Sequence, residues 1–229
     1  MINRFYFLFI ILITSCTQPS KNTTVSGSIK GLQKGTLYLQ HVKDDAFTTL
    51  DSLEMISTTD FELGCDLDEA ELLFLSLSEE VDAERISFFA DQGHTTINTT
   101  LKRFRYDAQI DGSNQQKLLE SYYKNIERFK DQKLELVEAQ LNAQKDGNLE
   151  RSDSIQTKMY KIVQRSYLYS INFALNNKDS EVAPFIAVSE VYDANVKYLD
   201  TINNVLPPKI ANSKYGLILK DYIKTVKSK

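Results

Sequence analysis

Two histidines and two cysteines are all the nitrogen and sulfur ligands this sequence offers a metal. A zinc site draws three or four such groups together. His41 and His94 are therefore read as surface residues of strands or turns, and no metal or other cofactor is expected. No Gly-x-Ser-x-Gly elbow occurs, so a Ser-His-Asp hydrolase lacks its local signature. No glycine-rich phosphate loop occurs either. Lys and Arg total 27 against 31 Asp and Glu, a formal net charge of −4, with no dense basic patch. That balance argues against nucleic acid as a partner. Lys102, Arg103 and Arg105 cluster, but three charges read as a solvated turn or strand edge. Asp66, Asp68, Glu69 and Glu71 crowd together without the glycine and terminal glutamate of an EF-hand loop. They read as a solvated acidic turn. No catalytic cluster emerges, and the chain is expected not to be an enzyme.

The amino terminus is more informative. Arg4 precedes an unbroken apolar run, Phe5 to Ile13, which ends in Thr14-Ser15-Cys16. A short positive segment, an apolar stretch and small residues make the layout of a secretory signal. The run is too short to span a bilayer, which takes about 20 residues. Ile13-Thr14-Ser15-Cys16 resembles the lipobox of bacterial lipoproteins. The resemblance implies cleavage before Cys16, diacylglycerol on its sulfur and acylation of the new amino terminus, palmitate included. Several acyl chains make a stable anchor, since each buried methylene contributes about 0.8 kcal/mol. The expected division is a signal peptide over residues 1–15 and a lipidated polar tether over 16–24. Thr17 stands where an aspartate would retain a lipoprotein at the inner membrane, so the outer membrane, facing the periplasm, is the expected site.

The remaining 214 residues (229 − 15) suffice for one domain or two small ones without a stabilising metal or disulfide. With Cys16 committed to lipid, Cys65 has no partner in the chain. It follows Phe61, Leu63 and Gly64 and is read as a buried, inert thiol, because free cysteine packs as a small hydrophobe.

From Val25 to Ile110 apolar residues alternate with polar ones: Val25/Ile29, Leu37/Leu39, Phe61/Leu63, Ile86/Phe88, Ile97, and Tyr106/Ala108/Ile110. Leu72 to Leu77 is nearly all apolar, as suits a strand covered on both faces. Turn signals at Asp44-Asp45, Thr58 to Asp60, Asp91 to Gly93 and Asp111-Gly112 separate the pieces. Short strands with polar turns indicate an antiparallel sandwich or small barrel. After Ser113, a predicted N-cap, the period lengthens. Leu119, Tyr122, Ile126, Phe129, Leu134, Val137 and Leu141 recur at three and four. Beyond Asp146-Gly147-Asn148, so do Ile155, Met159, Ile162, Ser166, Tyr169 and Phe173. Two long helices in a hairpin follow. A third helix is expected from Ser180, ended by Pro207-Pro208, and a last one over Ser213 to Val226. The fold class is thus α+β, a β domain over 25–112 followed by a helical region over 113–229.

This order of segments resembles a known one. Val25-Ser26-Gly27-Ser28-Ile29-Lys30-Gly31-Leu32, Gly35 to Leu39, and Asp51-Ser52 ahead of a strand resemble an uncharacterised β domain. That domain opens many Bacteroidetes thioredoxin-like lipoproteins of the AhpC/TSA type. Asp111-Gly112-Ser113, the stretch Asn176 to Ile186, Leu206-Pro207-Pro208 and Ser213 to Gly216 resemble the helical region that follows it. The family's chemistry resides in a subsequent thioredoxin domain with a Trp-Cys-x-x-Cys motif. This sequence has no tryptophan and no second exported thiol, so no redox residue is carried over and no thiol-disulfide turnover is expected. The leading expectation is a non-enzymatic envelope lipoprotein, anchored to a membrane, that binds a protein, peptide or glycan. The alternative is an accessory module serving a separate thioredoxin-like protein. Asp51-Ser52-Leu53, Asp153-Ser154-Ile155 and Asp200-Thr201-Ile202 also resemble the short Bacteroidetes O-glycosylation signal.

Overall fold

The computed structural model describes residues 21–228; the expected signal peptide and Cys16 lie outside the described residues. Eight strands lead into six helices: β1 (Thr23–Lys30), β2 (Lys34–Lys43), β3 (Ala46–Ile56), β4 (Asp60–Cys65), β5 (Glu71–Ser76), β6 (Arg85–Ala90), β7 (Gly93–Thr100), β8 (Gln109–Asp111), α1 (Asn114–Lys145), α2 (Leu149–Asn176), α3 (Val182–Ser189), α4 (Val196–Val205), α5 (Pro208–Ala211) and α6 (Lys214–Lys227). The α+β layout is as the change of period indicates.

The strands form two four-stranded sheets, β4-β1-β7-β8 and β3-β2-β5-β6. Val25, Ile29, Leu37, Leu39, Leu63, Leu73, Leu75, Phe88 and Ile97 meet between them in one core. These are the inward positions of the period-two pattern. The pairing of β1 with β7 is parallel, all others being antiparallel. Alternation is the same in both senses, so it could not reveal this pair. Gly27 sits where β1 crosses β7 at φ +153°, and a Cβ there would lie 1.8 Å from the Ile97 carbonyl oxygen. The β2–β3 turn is Asp44-Asp45, both at positive φ, as a two-residue hairpin of the right twist requires.

Some local expectations give way. Thr23 and Thr24, placed in the tether, already belong to β1, and Thr23 is fully buried. Asn22 holds that strand end by donating to the Leu67 carbonyl and accepting from the Leu67 N–H. Asp51-Ser52 lies in the middle of β3 rather than ahead of a strand. The Asp51 carboxylate accepts from the Gly64 N–H at 2.9 Å and pairs with Lys21 at 2.8 Å. Burial would raise its pKa; the Lys21 ammonium and the Gly64 and Ser52 N–H groups outweigh that and hold it below the usual value. Tyr106 and Ala108 are not strand residues: a 3-10 turn over Leu101–Arg103 breaks the pattern, and Tyr106 is exposed. The expected third helix is two, α3 and α4, parted by Glu190 to Asn195, and Pro208 opens a further short helix, α5, where the break was expected.

Leu72 and Phe89 point out of the sandwich, away from its core. There they meet Leu119, Tyr122 and Ile126 of α1, Val182, Phe185 and Ile186 of α3, and Tyr215 of α6. Phe89, Phe185 and Tyr215 form a triangle with ring centroids 5.1 to 5.7 Å apart. Aromatic packing of this kind contributes about 0.5–1.5 kcal/mol per pair beyond burial. The helices α2, α3, α4 and α6 close a separate core around Ala174, Ala187, Leu199, Ile202 and Leu219.

Ser113 is the N-cap of α1: its Oγ accepts from the Gln116 N–H and donates to the Phe89 carbonyl. Gln116 Oε1 in turn accepts from the Phe89 N–H at 2.7 Å. One cap thus satisfies both the helix start and the free edge of β6. Along the hairpin the stripe holds through Phe129 and along α2, but Leu134 and Leu141 are exposed. Ala143 and Ile155 are the buried residues of its outer half.

Candidate functional site

The junction of sandwich and helices carries an open cleft of about 630 Å³. The β2–β3 hairpin contributes His41, Lys43, Asp44 and Asp45. The start of β5 contributes Glu71, Leu72 and Phe74. The helices contribute Phe185, Lys214, Tyr215 and Ile218. Ser213 starts α6 by capping the Gly216 N–H, which aims the next side chain, Lys214, back at the sheet.

At the cleft's centre lies the Glu71 carboxylate, one of the few buried charges. One oxygen meets Nδ1 of His41 at 3.2 Å, and the other receives the Lys214 ammonium. Lys214 also donates to the Val42 carbonyl at 3.0 Å, and its N–H to Glu69 at 2.8 Å. A buried carboxylate needs such partners, since an unpaired one costs several kcal/mol. The Leu72 N–H donates to the Tyr215 hydroxyl at 3.0 Å. Burial pushes that phenol well above its ordinary range, so it stays protonated. The arrangement offers an apolar floor of Leu72, Phe74, Phe185 and Ile218 beneath fixed polar groups, with Asp44 and Asp45 at the rim.

The acidic segment is the solvated turn its composition suggests only at Asp66 and Asp68, which are exposed; Glu69 is half-buried and Glu71 buried. Asp66 accepts from the Asn22 N–H, and Glu69 and Glu71 tie the sandwich to α6. Among the described residues no group of His, Cys, Asp and Glu is arranged to hold a metal. His41 is half-buried in the cleft, not a plain surface residue. His94 lies on the open face of the first sheet, with Nε2 3.1 Å from Ser26 Oγ and 3.2 Å from Thr96 Oγ1. The cleft lining includes no serine or cysteine, and the Ser26–His94 pair lies outside it. Cys65 is buried, and its thiol is raised to about 11 by burial first and the Glu71 charge second. Lys102, Arg103 and Arg105 occupy the 3-10 turn and its flank, where Arg103 pairs with Asp107.

A second concavity, about 360 Å³, runs between α2 and α4 and is lined by Val163, Tyr167, Leu168, Ile171, Ala194 and Tyr198. Tyr167 donates to Asp193 at 2.5 Å, a bond that raises the phenol to about 12. Among the tyrosines, Tyr122 and Tyr215 are core, while Tyr160, Tyr192 and Tyr198 are exposed. Sequence reasoning missed the cleft because its members come from positions 41, 71 and 214. The one local clue was Ser213, whose cap fixes where α6 begins.

Residues 23–119 match the domain of unknown function DUF4369. The DUF4369 match covers the whole sandwich and the first six residues of α1, through Leu119 (114 to 119). It therefore includes Ser113 and Gln116, which close the edge of β6, and His41 and Glu71 of the cleft, but not Lys214. No curated protein and no solved structure matches the chain. Among the described residues no helix is long and apolar enough to cross a membrane.

Proposed function

We propose that the chain is a lipid-anchored envelope lipoprotein whose DUF4369 sandwich and helical region together present a binding cleft to a protein, peptide or glycan partner. The junction cleft is the observation that carries this reading. It is the largest of the concavities described, and it joins an apolar floor to a few convergent polar groups, the usual make-up of a ligand site. The lipobox-like Ile13 to Cys16 supports the anchor, and Thr17 the outer membrane as its address. The test is affinity capture of the lipidated protein from native envelope. A Phe74→Glu variant is compared with a Leu168→Glu variant in the α2–α4 concavity. Loss of the captured partner in the first alone is expected; retention in the first would sink the assignment.

The DUF4369 match falls on the segment that resembles the β domain of thioredoxin-like lipoproteins, and this favours a second reading. In it the chain serves a separate thioredoxin-like protein as an accessory, without turnover of its own. Recovery of a Trp-Cys-x-x-Cys protein by the same capture would select it.

A further inference from the structure

The described chain is fastened from its first residues. Lys21 Nζ donates to the Asp51 carboxylate and to the Gly64 carbonyl, each at 2.8 Å. Asn22 donates to Asp66 and to the Leu67 carbonyl, and accepts from the Leu67 and Gly93 N–H groups. The tether expected over residues 16–24 therefore shrinks to Thr17 through Ser20, between Cys16 and Lys21. However those residues bend, the chain from Cys16 to Lys21 reaches at most about 18 Å.

The junction cleft opens at the end of the sandwich that this reach governs. There Thr23 starts β1, opposite the last residue of β4 and the first of β7. The β2–β3 hairpin and the start of β5 are at the same end, where Lys214 bonds both Val42 and Glu71. Leu67, bonded to Asn22, stands two residues from Glu69 of the cleft, at most about 7 Å away. By contrast α1, at 32 residues, is about 48 Å long. A body fixed to lipid at Cys16 thus keeps its cleft close to the bilayer.

The loops of this end carry Asp44, Asp45, Asp66, Asp68, Glu69 and Asp91, against Lys43. None of these six acids is in an ion pair among the described residues. Lys21 and Lys214 are each paired with a carboxylate, Asp51 and Glu71. The helices add no charge to the cleft lining other than Lys214. The acidic excess repels an anionic lipid headgroup and favours a cationic partner. The floor of Leu72, Phe74, Phe185 and Ile218 accommodates apolar side chains.

Given the lipid anchor and the binding role of the cleft proposed above, we propose that the cleft meets its partner at the bilayer surface. The partner is a membrane-protein segment that presents apolar side chains flanked by lysine or arginine.

The test uses the lipidated full chain in vesicles of phosphatidylcholine, which has no net charge to draw a peptide. Mass spectrometry checks the acylation. Cys65 is buried, so a fluorophore goes to an introduced cysteine. On Asp68→Cys it should be quenched by a headgroup-borne quencher; on Lys34→Cys, at the opposite end of β2, it should stay bright. Two soluble synthetic peptides share one apolar centre, flanked by lysines in the first and glutamates in the second. The lysine peptide should bind at least about tenfold more tightly. Asp44→Asn with Asp45→Asn should remove most of that preference, and asparagine tolerates the positive φ at both positions. Phe74→Glu should abolish binding. Equal quenching at the two ends, or equal affinity for the two peptides, overturns the proposal. So does cross-linking of the cleft to a photoreactive lipid in the absence of peptide. Binding that survives Phe74→Glu refutes the cleft itself, a chain without acyl groups refutes the anchor, and either takes the proposal with it.

Discussion

Single residues here show how burial sets chemistry. Cys65 packs among Phe61, Leu63 and Leu67 in the sandwich core. In the folded chain burial holds its thiol at about 11, above the ordinary 9.0. The native protein should therefore resist alkylation at neutral pH and react once denaturant unfolds it; rapid native labelling would contradict the buried assignment. A raised folded pKa contributes stability that is present below the unfolded value and lost as the pH climbs through the folded one. Stability should thus fall between pH 9 and 11, by about 2–3 kcal/mol from this group. Cys65→Val should flatten part of that slope in denaturant melts taken across the range. Gly216 makes a steric case: a Cβ would lie 2.1 Å from the Ile210 carbonyl oxygen. Gly216→Ala should cost about 2 kcal/mol or more, because backbone rather than a flexible side chain must yield; an unchanged melting temperature would refute this. At Cys16 the expectation concerns covalent chemistry. Cys16→Ser should leave an unprocessed chain without acyl groups, as mass spectrometry of the amino terminus would show. A wild-type product that lacks lipid would remove the anchor.

Among elements, α1 shows how one start signal does two jobs. Ser113 caps the helix and bonds the outward carbonyl of Phe89 on the edge strand β6. Ser113→Ala should cost about 1–2 kcal/mol, towards the upper end because two bonds are lost. Ser113→Thr, which keeps the hydroxyl, should recover most of it in chemical denaturation. The hairpin was legible because a single stripe runs through each helix. Its start and its turn were legible too, from Ser113 and from Asp146-Gly147-Asn148. The stripe misplaced Leu134 and Leu141, for periodicity marks an apolar face without saying what lies opposite. Likewise Tyr106 and Ala108 fit an alternating pattern by chance, and the Thr100 side chain, which accepts from the Arg103 N–H, starts a 3-10 turn instead.

For the whole molecule, the DUF4369 segment and the helical region are joined by apolar contact as well as by Glu71 and Lys214. Phe89 and Leu72 on the sandwich are covered by α1, α3 and α6. A fragment ending at residue 112 should consequently expose these side chains, bind a hydrophobic dye and aggregate, while the full chain stays dispersed. Burial of Phe89 alone contributes about 1.5–3 kcal/mol to the union. A fragment that melts cooperatively at the full chain's temperature would show instead that the sandwich is independent.

The sequence by itself determined the class of the fold, the order of its elements and most helix ends. Those features depend on side-chain period and on caps, which act over a few residues. The expectation of an export signal and a lipid anchor rests on the sequence alone, since a linear motif needs no fold to be read. Only the tertiary structure decided that β1 runs parallel to β7, because pairing joins segments about 70 residues apart and alternation is blind to direction. It alone decided that Glu71 is a buried ion-pair partner rather than a solvated acid. Lys214, which neutralises it, lies 143 residues further along the chain, and no local pattern carries the charge of a neighbour that only folding supplies.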